Sequence, residues 1–265
     1  MKKILLAVGG LWLTAFSVQA QLKEGKIIYE RVSQMRARMN INGVVNEMPQ
    51  TRKDNFELTF GNNQSLWKAV EQENDDAVTN NGDGVQMHMI VAGSNDVLYN
   101  NFETRKRTEK RELMDKIFIV DDSIPSLKWK MTGETKTILG MPCMKATATN
   151  ISTRTMMTAD NGKMERKDVQ DTANITAWFT TSIPVSTGPA EYQGQLPGLI
   201  LEIDVSNGRQ TFKATSISEK PDLAIIKEPT GKKHYTPAEF RKEREKMMEE
   251  MQKNNQGGNR VIRMN

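Results

Sequence analysis

Cysteine is almost missing from this chain: Cys143 stands alone among 265 residues. No intrachain disulfide can form, so the fold must be held by a packed core. A single thiol also removes every zinc pattern built on paired cysteines. With only two histidines, His88 and His234, there is no His-x-x-x-His spacing to replace them. No nucleophile elbow surrounds a serine, and no glycine-rich phosphate loop opens a helix. A hydrolase site assembled in space from distant residues stays open as an alternative, because such triads need no sequence adjacency. Charge of one sign is lacking too. Lys and Arg number 37 against 33 Asp and Glu, a formal net charge of +4, which falls to +2 if a leader carrying Lys2 and Lys3 is removed. That balance gives no argument for nucleic acid as a partner. Long apolar runs are absent after residue 20, and a bilayer needs about 20 such residues, so the chain is not expected to span a membrane.

The first 20 residues have the layout of a secretory signal. Lys2 and Lys3 form a positive start, Ile4 to Phe16 an apolar stretch, and Val18-Gln-Ala20 places small side chains where a signal peptidase reads. Cleavage near Ala20 delivers the protein to the periplasm or beyond, with residues 21–232 as a β domain, 233–253 as a C-terminal helix and 254–265 as a disordered tail.

Short alternating runs fill the body of the chain. Lys26–Met35 reads as a first strand, followed by a polar stretch from Arg36 to Pro49 with an Asn42-Gly43 turn. Phe56-Glu-Leu-Thr-Phe60 alternates cleanly and pairs as a hairpin with Ser65–Val70 across Gly61–Gln64. Glu71–Gly84 is an oxygen-rich loop without the closing Glu of a calcium hand, since Met87 stands twelfth from Asp76. Val85–Val91, Asp96 onward, Glu112–Val120, Leu127–Met131, the run after Pro142 and Ile175–Thr180 read as further strands. The Arg, Lys and Glu residues between Glu103 and Arg111 read as a solvent-facing strand or turn. Ser152–Thr172, with Asn161-Gly162, reads as a long hairpin connection. Leu199–Val205 and Gln210–Ile217, separated by Asn207-Gly208, predict a tight hairpin, because both turn positions tolerate positive φ. Thr236, Pro237 and Glu239 form a helix start signal, followed by a helix with Phe240, Met247, Met248 and Met251 on a surface-docked face. The fold class is mainly β: a curled antiparallel sheet, half-barrel-like, with a C-terminal surface helix.

The stretch Ile183–Ile203 is the densest in Gly and Pro and runs straight into an apolar strand. Its Leu196-Pro-Gly-Leu-Ile200 resembles the signature of the GLPGLI family of secreted Bacteroidetes proteins, with Gln195 in place of the first glycine. Ala177–Pro189 and Thr137–Thr147 resemble the family's flanking segments, and the likeness extends from about Thr137 to Ile217. The resemblance implies a periplasmic or envelope protein and brings no catalytic residues with it. The candidate ligand or partner loop is Ser186, Gly188, Pro189, Tyr192, Gln195, Pro197 and Gly198, with Ser186–Gly194 expected to be exposed and Leu196-Pro197-Gly198 to aim the following strand.

Three binding readings follow. A curled sheet with an apolar face could hold a small apolar ligand, as the half-barrel lipoprotein carriers of Gram-negative envelopes do, an analogy of fold alone. The loop could dock on an outer-membrane transporter. Alternatively, the 17 methionines, with Met87-His88-Met89 and Cys143-Met144 among them, offer thioether, imidazole and thiolate groups suited to Cu(I), although methionine serves as readily as core filling. The sequence favours a non-enzymatic binding or accessory protein that needs no cofactor, with copper as the alternative.

Overall fold

Two-residue turns set the register of this sheet. Leu139 and Gly140 take φ of 48° and 76°, and Asn62 and Asn63 52° and 57°, the positive angles that let right-twisted strands fold back on each other, while Asn207 (53°) and Gly208 (86°) sit inside a four-residue turn between Val205 and Gln210. The computed structural model describes residues 22–41, 44–70, 96–113, 115–160 and 163–256. Six strands run in one meander: β1 (Gly25–Ile41), β2 (Val44–Gly61), β3 (Gln64–Ala69), β4 (Val97–Asn101), β5 (Lys106–Leu113) and β6 (Lys116–Ser123). Five more form a second: β7 (Lys130–Ile138), β8 (Met141–Asp160), β9 (Lys163–Thr180), β10 (Leu199–Val205) and β11 (Gln210–Ser218). The short β12 (His234–Tyr235) and the helix α1 (Pro237–Gln256) close the chain. Among the described residues all strands lie in one open sheet, ordered β12-β6-β5-β4-β3-β2-β1-β11-β10-β9-β8-β7. Every pairing is antiparallel except β12 with β6, so the sheet is mixed rather than purely antiparallel.

Connectivity forces the sheet to curl. Ten strand spacings separate β6 from β7 in the sheet order, about 48 Å if flat. The chain from Ser123 to Lys130 reaches at most about 25 Å. The two ends of the sheet must therefore bend toward each other, as the half-barrel expectation required.

The inner face carries the core. Ile27 and Tyr29 of β1, Leu58 and Phe60 of β2, Phe179 of β9 and Ile203 of β10 are at most 1% exposed. A bulge in the β9–β10 ladder leaves Leu201 without an opposite residue, so Ile200 and Leu201 are both buried although they are adjacent. Trp67 of β3 stacks on Phe56 at 4.9 Å between centroids and meets Tyr29 at 5.4 Å. Each fully buried large side chain contributes about 1.5–3 kcal/mol.

After β11 the chain passes Gly61 with Leu223, ties Glu228 to Lys106 (2.5 Å), and lays Gly231 against Ile119 before β12 pairs with β6. Helix α1 then packs Phe240 and Met247 on Phe118 and Val120. Ile119 alternates with Phe118 and Val120, so the C-terminal segment grips β6 from both faces. The helix starts where the sequence placed it: Glu239 N donates to Thr236 Oγ1 (3.2 Å) and Thr236 N to Glu239 Oε2 (2.8 Å). It runs to Gln256, past the expected end at 253.

Three element expectations differ from the structure. Arg36–Pro49, a polar stretch with no strand expected, and Ser152–Thr172, expected as a hairpin connection, are continuations of the β1–β2 and β8–β9 ladders. Polar residues persist there because these arms extend past the strands that cover the core. Glu112–Val120 is split at residues 114–115 into β5 and β6, Leu113 facing Lys116 across a two-residue turn with no Gly, Asn or Pro to mark it. The expected strand Val85–Val91, the side chain of Met251, the leader and the tail beyond residue 256 lie outside the described residues.

Candidate functional site

The Gly/Pro-dense stretch is folded into the sheet's concavity. From Thr181 the chain turns inward at Ile183 (4% exposed), makes a single 3-10 turn at Ala190–Tyr192, and enters β10 through Leu196-Pro197-Gly198. Its backbone is held on β10 by Leu199 N donating to Ile183 O (3.1 Å) and Ile200 N to Thr187 O (2.9 Å). Gln193, 1% exposed, is the central latch. Its Oε1 accepts from Ser65 Oγ (2.6 Å) and Thr187 Oγ1 (3.1 Å), and its Nε2 donates to Ala190 O (3.0 Å). The side-chain amide is thereby satisfied inside the protein, as burial demands. Tyr29 Oη donates to Ile200 O (2.6 Å), and burial pushes this phenol well above its ordinary pKa. Burial does the same to Tyr192.

The exposure expected of Ser186–Gly194 is therefore corrected. Gly188, Pro189 and Tyr192 are buried, Ser186 and Gln195 half-buried, and only Glu191 of that stretch faces solvent. Pro197 is exposed and Gly198 buried. Glycine density here reflects close approach rather than a solvated turn. A Cβ on Gly198 would lie 2.2 Å from Thr180 O, and one on Gly194 (φ 74°) 2.9 Å from Ile124 Cγ2. The architectural role expected of Leu196-Pro197-Gly198 agrees with that geometry.

Gln195 ties the loop to a second region. Its Oε1 accepts from Leu127 N and Trp129 Nε1, both at 3.1 Å, and its Nε2 donates to Glu191 O (2.9 Å). The link between the sheet's two ends is thus pinned to the loop. Residues 129–202 match the family model described as "Protein of unknown function (Porph_ging)". The matched segment runs from Trp129 to the middle of β10 and contains both the latch and the Leu196-Pro197-Gly198 entry. No curated protein matches the chain.

Of the metal candidates, the structure describes only Cys143 and Met144. Met87, His88 and Met89 lie outside the described residues. Cys143 is fully buried and Met144 is 39% exposed, as neighbours on opposite faces of β8. One ion cannot sit on both faces, so this pair is not a ligand set. Burial also pushes the Cys143 thiol up, away from the thiolate a metal needs. Among the described residues no three His, Cys, Asp or Glu side chains are grouped to hold a metal.

His234 sits beside an acid rather than a nucleophile. Its Nδ1 is 2.7 Å from Asp121 Oδ2, while Thr108 Oγ1 donates to Asp121 Oδ1 (2.8 Å). Asp121 lies between the hydroxyl and the imidazole, the reverse of the order in which a base activates a nucleophile. Burial pushes the Asp121 carboxyl up, but the hydrogen bonds from His234 and Thr108, with Lys106 nearby, outweigh it and hold the carboxyl below its ordinary value.

One charged constellation escaped the sequence reading. Arg107, Glu109 and Arg111 alternate along β5, so all three point to one face. That face meets α1, and a cleft of about 220 Å³ lies between them, with Arg241 and Arg244 of the helix opposite. The i, i+2 spacing on β5 was the available signal. Taken locally, that spacing reads as solvent exposure, because the partner element lies more than a hundred residues away.

Proposed function

We propose that this is an exported, non-enzymatic envelope protein of the GLPGLI type, an accessory that engages an extended segment of an outer-membrane partner along two hairpin arms. One observation carries the reading. β1 pairs with β11 only as far as Ser33, and β9 with β10 only from Ile175 onward. Past the Asn207-Gly208 turn, both hairpins continue while the two strands between them have ended. Gln34 N donates to Arg209 O and Ser206 N to Asn174 O, closing the base of this notch. Beyond it, the inner edges of 35–41 and 163–173 have no pairing strand among the described residues. These edges extend about 20 Å and 35 Å past the turn and stand about 14 Å apart at the base, three strand spacings. Unpaired strand edges are templates for added strands, and main-chain pairing is a recurrent way of capturing an extended segment.

The apolar-ligand reading has less support, because the loop side chains Ile183, Tyr192 and Leu196 fill the concavity in which such a ligand would sit. Copper has less support as well, since Cys143 and Met144 face apart. Export is supported by the signal layout of residues 1–20, and the GLPGLI assignment by Leu196–Ile200 together with the family match over 129–202.

Photocrosslinkers placed singly in 35–41 and 163–173, in the exporting cell, test the reading. Crosslinks from both arms to an integral outer-membrane protein are expected. Crosslinks only to copies of the same chain would replace the partner with self-association, and no arm crosslinks would overturn the proposal.

A further inference from the structure

The cleft between β5, β6 and α1 has more positive charge than its own acids neutralise. Glu109 is the acid at its centre, and both of its oxygens are already engaged: Oε1 by Arg107 and Oε2 by Arg111. Arg107 and Glu109 are each 14% exposed, so this is a largely dehydrated ion pair rather than a surface one. Arg107 Nε is buried with no acceptor among the described residues. From the helix side, Arg241 and Arg244 line the same cleft. Asp122 is the other carboxylate on the lining, and its Oδ1 accepts from Ser123 N. Four guanidiniums against two carboxylates leave an excess of +2. Phe240 lies under Arg111, 5.4 Å from its guanidinium carbon, which fixes that group's orientation.

We propose that this cleft binds a phosphate group carried by a soluble ester or a lipid headgroup. Guanidinium forks match the oxygens of a tetrahedral oxyanion, and a phosphomonoester carries about −1.5 to −2 charge at neutral pH, which meets the excess. A carboxylate would offer one charge and two oxygens to four arginines. The start of α1 is not the anchor, because its capping box already uses the Thr236 and Glu239 amides. Sequence spacing explains the geometry. Arg107 and Arg111 share a strand face at i, i+4, and Arg241 and Arg244 share a helix face at i, i+3. The α1–β6 contact of Phe240 with Phe118 sets the two pairs across from each other.

The site lies on β5, β6 and α1, away from both hairpin arms, so a protein with trimmed arms keeps it and the two proposals fail separately. The test uses the mature chain and the Arg241→Gln/Arg244→Gln variant, whose two side chains are exposed rather than part of the packed core. Inorganic phosphate, titrated against chloride at matched ionic strength, should broaden the phosphorus resonance and raise the melting temperature of the wild type. The double variant should bind at least about tenfold more weakly, the effect expected from losing charge-assisted hydrogen bonds. Flotation with phosphatidylcholine vesicles, with and without phosphatidic acid, whose headgroup is a phosphomonoester, separates the sources. Binding to the anionic vesicles that the variant loses assigns a lipid headgroup. Phosphate binding without vesicle binding assigns a soluble phosphoester. Equal response of wild type and variant, or chloride acting as well as phosphate, overturns the proposal.

Discussion

Replacing Gly198 by Ala tests the architectural reading of the signature at a single atom. The added Cβ would stand 2.2 Å from Thr180 O and 2.9 Å from Thr180 C. That is more than about 1 Å inside ordinary contact. Both atoms belong to backbone, so no side chain can rotate away. Either β9 or the entry to β10 must move, and the move works against Gly198 N donating to Leu196 O (2.9 Å) and Leu199 N to Ile183 O (3.1 Å). Two weakened hydrogen bonds at about 1 kcal/mol each, and overpacking of about 1–3 kcal/mol beside Leu199 and Ile200, give about 3–5 kcal/mol. For a domain of this size each kcal/mol lowers the melting temperature by about 2–4 °C, so a fall of about 6–20 °C is expected. Thermal unfolding followed by circular dichroism reads it, with urea midpoints as the check. Pro197→Ala is the control: the side chain is exposed, and a change within about 1 kcal/mol is expected. A Gly198→Ala protein melting within about 2 °C of wild type would refute the close-approach argument and, with it, the reading of the signature as a backbone junction.

Two further outcomes follow from the same geometry. Gln195→Gly, which restores the glycine of the family signature, removes the acceptor for Leu127 N and Trp129 Nε1. It should cost about 1–2 kcal/mol and shift tryptophan emission, and an unchanged spectrum and urea midpoint would disprove the tether. Asp121 has its folded pKa held below the unfolded value of about 3.9. Its contribution is present above that value and is lost as pH falls through the folded one. Asp121→Asn should therefore be less stable than wild type near pH 5, with the gap closing toward pH 3, and a gap constant across that range would count against the His234–Asp121 pairing.

Local chemistry was legible in the chain, and long-range placement was not. Asn207-Gly208, the Phe56–Phe60 alternation and the Thr236/Glu239 box each act within a few residues, so the sequence displays both partners at once. The turn between β5 and β6 has no special residue, and a continuous apolar-charged run concealed it. The loop was misjudged because glycine and proline signal backbone shape, which a solvated turn and a tightly packed plug both require. What separates the two is whether Thr187 and Gln193 find buried partners, and Ser65 lies 128 residues from Gln193. The hairpin arms were misread for the opposite reason. Their sequences lack the alternating apolar face by which a strand is recognised.

The β1–β11 pairing has a consequence for how the protein comes to exist. Apart from the two-residue β12 on β6, neighbours in the sheet are otherwise neighbours in sequence within each meander, so both halves can zip as soon as they are made. Ser33 meets Gln210 across 177 residues. This seam is the high-contact-order step, and steps of that kind are the slow ones. During synthesis the leading half therefore waits with the β1 edge open until β11 arrives. A strand edge in that state is where unassembled chains adhere to one another. The vulnerable species in the life of this protein is thus a half-finished sheet rather than the folded one. Its lifetime is set by the time the second meander needs to be completed and to close the seam.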